Sequence, residues 1–382
     1  MRIVTHTTLE TIPAAAWNAL SDGRDPFLRH EFLVALERHG CVGEQFGWLP
    51  QHLAAYDDHG ALVGAVPLYL KDNSYGEFVF DWAWADAYAR SGLRYYPKLV
   101  SAIPYTPATG LRLLIAADAD RRAVGDALIE AALERARELR ASSLHWLFTP
   151  EDQTDQLQTH GLLRRTGCQF HWHNHDYRDF NDFLDRFSSA KRKKVKQERR
   201  HVADAGIELQ VLHGGEMTDS QWRVLHGFYC STFERKSGVP TLSLPFFLEI
   251  SRTMDDALVL IMAQHEQRYV AGAICLRGTD TLYGRHWGCS ADYHSLHFEA
   301  CYYQGIDYCI RHGLRRFEPG AQGEHKISRG FLPTPTWSAH WIAHPEFRNI
   351  LVRHTAQESE HLDEYMRELA QHSPYKDPPP AS

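Results

Sequence analysis

The order of elements constrains this chain more than any single motif: strand hairpin, further strands, amphipathic helix and strand occur in the first half and recur in the second. Residues 51–56 and 61–70 (ALVGAVPLYL) read as two strands around the turn Asp57-Asp58-His59-Gly60. Strands at 98–103 and 111–116 enclose the Pro-rich IPYTPATG. Over 120–140 the apolar residues Val124, Leu128, Ile129, Ala132, Leu133 and Ala136 keep a helical period. A strand at 143–148 (SLHWLF) follows, and a short helix starts at 157–160. The second half offers a helix over 180–205, a strand at 207–212 and helices at 221–233 and 245–253. It continues with a hairpin of 257–264 and 269–277, a strand at 281–287, a helix at 296–313 and a strand at 315–318. Beyond Gly320 come a loop rich in Gly and Pro, a strand at 338–342 and a helix from 345 to about 372.

A chain of 382 residues exceeds one ordinary core. The duplicated plan therefore predicts an N-terminal domain at 1–172 and a C-terminal domain at 173–374, joined near 170–178, with a disordered tail at 375–382. The apolar runs, such as 257–263, are far too short to span a bilayer. The start MRIVTHTTLETIP has no secretory signal pattern, and seven scattered cysteines with no C-x-x-C pair suit neither a disulfide framework nor a thiolate zinc site. These features predict a cytoplasmic protein without a membrane span. A formal charge of -7 leaves no global basic field, so anion binding has to be local. The local exception is SSAKRKKVKQERRHVADAG, where Lys191, Arg192, Lys193, Lys194, Lys196, Arg199 and Arg200 fall within ten residues.

Three stretches carry a family resemblance. SSAKRKKVKQERRHVADAGIEL resembles the serine-containing turn, basic helix and strand of the GNAT superfamily's tandem members. LHFEACYYQGIDYCIRHGLRRFEPG resembles their late tyrosine-rich helix and strand. FEPGAQGEHKISRGFLP, with QFHWHN and SAHW, resembles the FemAB-like peptidoglycan biosynthesis/recognition family. The resemblance implies an α/β (α+β) fold of tandem GNAT-like domains, each a mixed sheet flanked by helices, with the C-terminal domain catalytic. It also implies transfer of an acyl or aminoacyl group from acyl-CoA or aminoacyl-tRNA to a small-molecule or peptide amine, with tRNA as a candidate partner and no metal.

The residues themselves point to chemistry after the strand at 315–318. Gly320 and Gly323 let the backbone approach a ligand, while Glu318, Gln322, Glu324, His325 and Lys326 crowd bases, an amide and a cation into one loop. An amine nucleophile has to lose a proton, so Glu318, Glu324 and His325 are the candidate general bases, and Lys326 is placed to hold a carboxylate or phosphate. A plain surface turn is the alternative, and the resemblance favours function. Arg285 and His286, in GRHWG, are candidates for the carbonyl or an acidic group of substrate, balanced against core packing. His297, Glu299, Tyr302 and Tyr303 lie on one helix, where Glu299 would share a face with Tyr303, four on, and with Tyr302, three on; a carboxylate beside a phenol could relay a proton, with core packing the alternative for the aromatic positions. His171, His173 and His175 alternate as metal ligands on a strand would, yet without an associated carboxylate or thiolate the metal-free reading is preferred. The R-x-x-G-x-A pattern at 122–127 is too permissive to mark a phosphate loop.

In the basic run, Lys193, Lys196, Arg199 and Arg200 read as a solvated helix face. Lys191 and Arg192 stand where the resembling aminoacyltransferases keep a basic residue for a phosphate. The leading function is thus an N-acyltransferase or aminoacyltransferase. A non-catalytic protein of the same fold, binding a cell-wall precursor or nucleic acid, is the alternative.

Overall fold

A computed structural model describes residues 1–21, 23–321 and 323–377. They form two compact units, Met1–Cys168 with Pro335–Tyr365, and Gln169–Thr334 with the segment from Met366 onward. The first boundary thus lies at 168 rather than 172. The second unit is not one uninterrupted stretch, because 335–365 returns to the first. These crossings occur inside the strands Leu163–His173 and Leu332–Ile342, the second of which carries Pro333 and Pro335 at its start, and inside the helix Pro345–Ala370 rather than in loops.

In the first unit Arg2–His6, His52–Tyr56, Leu62–Val66 and Leu114–Ile115 form an antiparallel sheet in that order. The helix Arg121–Glu138 buries Val124, Leu128, Ile129 and Ala132. Its first backbone amides are satisfied by its own cap, with Asp120 accepting from Arg122 N and Ala123 N at 3.0 Å each. A Cβ on Gly125 would stand 2.5 Å from Gln156 Nε2, so that glycine serves helix packing rather than a phosphate cradle. A helix at Trp82–Arg90 escaped the sequence reading. The segment leading into it is tied to the interior by the buried Lys98, which donates to Ser74 Oγ and Glu77 Oε2 at 2.8 Å and to Asp81.

The second unit aligns Ile207–His213, Leu258–His265, Arg268–Arg277 and Thr281–Cys289 as antiparallel neighbours, then adds Arg316–Glu318 parallel to the last. Apolar alternation and near-continuous burial of 258–263 explain why these strands were legible. The helix Asp219–Glu234 packs so closely on Thr281–Cys289 that a Cβ on Gly288 would lie 2.0 Å from Phe228 O. Gly288→Ala forces that helix off the strand, and a loss of about 2–4 kcal/mol in urea-monitored stability is the expected result. A loss under 0.5 kcal/mol would show that the contact relaxes.

The helix foreseen over 180–205 is two helices, Phe180–Asp185 and Ser189–Asp204. Between them Phe187 is buried and the backbone pairs outward: Ser188 N donates to Pro374 O and Lys376 N to Arg186 O, both at 2.9 Å. Tyr375 adds an Oη bond of 2.8 Å to Gly330 O. The expected tail from 375 is therefore packed structure through this pairing, while 378–382 lie outside the described residues. No described helix is long and apolar enough to cross a membrane.

Candidate active site

Two irregularities interrupt the pairing of Thr281–Cys289 with its neighbours inside the second unit's sheet. Pairing along Arg268–Arg277 runs Ile274 to His286 and then Cys275 to Gly284, leaving Arg285 as the extra residue of a bulge. On the other side Thr281–Cys289 pairs with Arg316–Glu318 for only three residues, ending at Tyr283 and Glu318. Past that point one strand continues to Cys289 and the other turns at Pro319-Gly320, with Gly320 at φ +95°. Backbone released by this separation finds side-chain partners: Thr232 Oγ1 donates to Trp287 O at 2.7 Å, and Arg235 Nη2 to Cys289 O at 3.1 Å.

The 3-10 turn Glu324–Arg329 follows the separation. Its His325 Nε2 lies 2.8 Å from Tyr302 Oη, and its exposed ring is 6.4 Å from His297, which itself lies 5.5 Å from Trp287 of the bulged strand. Partial desolvation of its ring, then Arg329 and Lys326, hold His325 below its ordinary proton affinity; for His297, burial and then His325 bring the value to about 4. Both imidazoles are therefore neutral at pH 7. Lys326 is buried, and its Nζ donates to Gly320 O at 2.7 Å. Burial lowers its ammonium to about 8, against a smaller opposing effect of Cys301. A neutral base and a desolvated cation thus occupy adjacent positions.

The other expected residues are distributed more widely. Glu318 is buried, with Arg316 Nε at 3.1 Å and His171 Nε2 at 3.9 Å. Glu324 opens the turn and is exposed. Gln322 lies outside the described residues. Burial lowers Arg285 to about 10, with Tyr229 and Glu318 opposing. His286 packs its ring 4.9 Å from Tyr229 and 6.5 Å from Phe247, so its place is among aromatic side chains of two helices. Lys191 is half-buried, and Arg192 Nη1 bonds Asp185 Oδ1 at 2.7 Å.

Three expectations need correction. Glu299 and Tyr303 do not form a relay, because residues 299–303 are a π-helical turn. The wider turn gives Glu299 to Gln304 Nε2 at 2.8 Å and to Arg199, whereas Tyr303 Oη donates to Glu198. Arg199 is not a solvated residue: its Nε and Nη2 both reach the buried Glu299 carboxylate at 3.1 Å. The alternating histidines share a strand only at His171 and His173, since the strand ends there. His171 is buried with Nε2 3.1 Å from Gln169 Oε1. Among the described residues no group of three or more His, Cys, Asp or Glu is arranged to hold a metal ion. Sequence reasoning placed His297 and Tyr302 on the candidate helix without pairing them with His325, and it missed Glu198 and Arg329; a single acid inside a run of cations was the available signal for Glu198.

The family model described as peptidoglycan biosynthesis/recognition matches residues 8–377. The chain belongs to the FemAB-like family. Among solved structures, this FemAB-like protein is similar to FemX, at 12% identity and TM-score 0.55, over 92% of this chain and 100% of that one. It is also similar to a conserved protein of unknown function from Bacteroides thetaiotaomicron, at 12% identity and TM-score 0.52, over 89% and 99%. L-PGS from Bacillus licheniformis is similar at 11% identity and TM-score 0.51, over 87% and 98%. No curated protein matches. At these identities the structural likeness speaks for fold alone. The expected α/β fold is borne out, and over nearly the whole chain it is similar to that of FemX, while family membership supports a transferase in general terms.

Proposed function

We propose that this protein transfers an acyl or aminoacyl group from a CoA thioester or a tRNA ester to an amine of a small molecule or peptide, working in the cytoplasm with its reacting groups in the second unit. The observation that carries the reading is the adjacency of His325 and Lys326 beside the separation of two parallel strands. With Nε2–H donated to Tyr302 Oη, His325 Nδ1 offers its lone pair to the attacking amine. The amine nitrogen forms the new bond to the carbonyl carbon, its proton passes to His325, and the C–S or C–O bond to the carrier breaks. Lys326 stabilises the negative charge that develops on the carbonyl oxygen, where a desolvated ammonium acts more strongly than in water. Arg285, on the bulge, and Lys191 with Arg192, at the start of the basic helix, are assigned to acidic groups of donor or acceptor. Glu318 and Glu324 are the remaining candidate bases.

Panels of acyl-CoA and aminoacyl-tRNA donors against amine acceptors, including cell-wall precursor peptides, test this reading by product mass. Catalysed amide formation that His325→Ala lowers at least about 100-fold supports it. Tight binding of one panel member without turnover would instead favour the non-catalytic alternative. The pH dependence of kcat/KM supplies a second check. Rate should rise with pH as His325 loses its proton, below the ordinary histidine value, and fall through about 8 as Lys326 loses its own. A profile flat from about pH 7 to 9 contradicts the Lys326 assignment, and one that does not rise anywhere from about pH 4 to 7 contradicts the His325 assignment.

A further inference from the structure

Within residues 191–200 Glu198 is the one acid, and the helix Ser189–Asp204 turns it inward. Its carboxylate receives both ends of one guanidinium, Arg329 Nη2 to Oε1 at 2.7 Å and Nε to Oε2 at 3.2 Å, together with the Tyr303 hydroxyl. Arg329 then spends its remaining arm on the reaction turn, with Nη1 donating to His325 O at 2.7 Å and to Ser328 Oγ at 3.3 Å. Its Cζ lies 3.4 Å from the centroid of the Phe298 ring. Glu198, Tyr303 and Arg329 are all buried. A planar fork gripped at both ends fixes direction as well as distance, which a single lysine ammonium would not do.

We propose that Glu198 is a positioning residue: through the Arg329 fork it fixes the turn that carries His325 and Lys326. Its consequence for turnover rests on the transfer reading above, whereas the geometry does not. His325 is faced by His297 and Tyr302 from the neighbouring helix, and by Glu324, Lys326 and Arg329 from its own turn. Of these, Arg329 is the group that Glu198 controls. The fixed guanidinium helps keep the imidazole neutral, so freeing it into solvent lets His325 take up a proton more readily.

Histidine-labelled full-length protein, titrated by NMR without substrate and assigned with His325→Gln, tests the inference. Arg329→Gln should raise the His325 midpoint by about half a unit to one unit. Glu198→Asp, which keeps the negative charge and shortens the reach, should move it in the same direction by less, and combining it with Arg329→Gln should add nothing further. An unmoved midpoint in Arg329→Gln, a fall on substitution of Glu198, or shifts that add in the double variant would overturn the inference. In the same variants kcat should fall about 10–100-fold with KM nearly constant, as misplacement of a reacting group does. Expected titrations without any transfer would sink the transfer reading alone; undisturbed titrations in an active enzyme would sink this inference alone.

Discussion

Lys326→Met should lower turnover at least about 100-fold while leaving the melting temperature unchanged or higher. The two effects have one cause. Lys326 is buried with a single protein acceptor identified, Gly320 O, and burial brings its ammonium to about 8 from an ordinary 10.5. Holding the charge inside at neutral pH therefore costs about 3 kcal/mol, which the loss of one hydrogen bond offsets only by about 1. The sign follows from proton uptake. Between about 8 and 10.5 the unfolded chain binds the proton and the folded chain does not, so stability from this group rises with pH across that window and is lowest below it. Methionine, of similar length and without charge, removes the cost and the pH dependence together. A calorimetric Tm series from pH 7 to 10, beside single-turnover rates, separates the outcomes. Full activity in Lys326→Met takes the ammonium out of the chemistry, and a large fall in Tm makes its role structural.

Arg199→Ala should destabilise the protein by about 3 kcal/mol, whereas Arg192→Ala should stay within about 0.5 kcal/mol. This reverses what the basic run suggested on its own. Arg199 holds the Glu299 carboxylate, which is 3% exposed, with two bonds, and its Cζ stands 4.4 Å from the centroid of the Phe180 ring. Removing it leaves a buried charge with Gln304 as its remaining identified donor. Arg192 meets Asp185, whose side chain is 68% exposed, so water replaces that partner at little cost. The midpoint of urea unfolding checks both. Adding Glu299→Gln to Arg199→Ala should recover most of the loss, because the stranded charge is then gone. Failure to recover would place the cost in lost packing of the arginine stem instead.

The legible elements were those with a strong internal period. The helix Arg121–Glu138, the hairpin Leu258–His265 with Arg268–Arg277, and the helix Pro345–Ala370 announce themselves through which residues repeat on one face. The break at 186–188 was not legible, since helix period continues across it and only the remote partners Pro374 and Lys376 make extension worthwhile. The unit crossings were hidden for the same reason: strand sequence looks alike on either side of a boundary. In the site, the dense loop after Glu318 drew attention to His325 and Lys326 by composition. Nothing in spacing could show that Glu299 and Tyr303 would turn to different partners, because the π-helical turn that separates them is a property of how the helix packs.

Sequence alone thus determined the strongly periodic elements, the α/β class and which loop concentrates reactive side chains, because periodicity and residue chemistry are local properties. Tertiary structure decided which charges face inward. Glu198 and Arg199 are neighbours in a run of cations, yet each is committed to a partner about a hundred residues or more away, Arg329 and Glu299. Burial of those pairs, and of Lys326, is what converts ordinary charged residues into fixed or perturbed ones. No window of sequence contains that information.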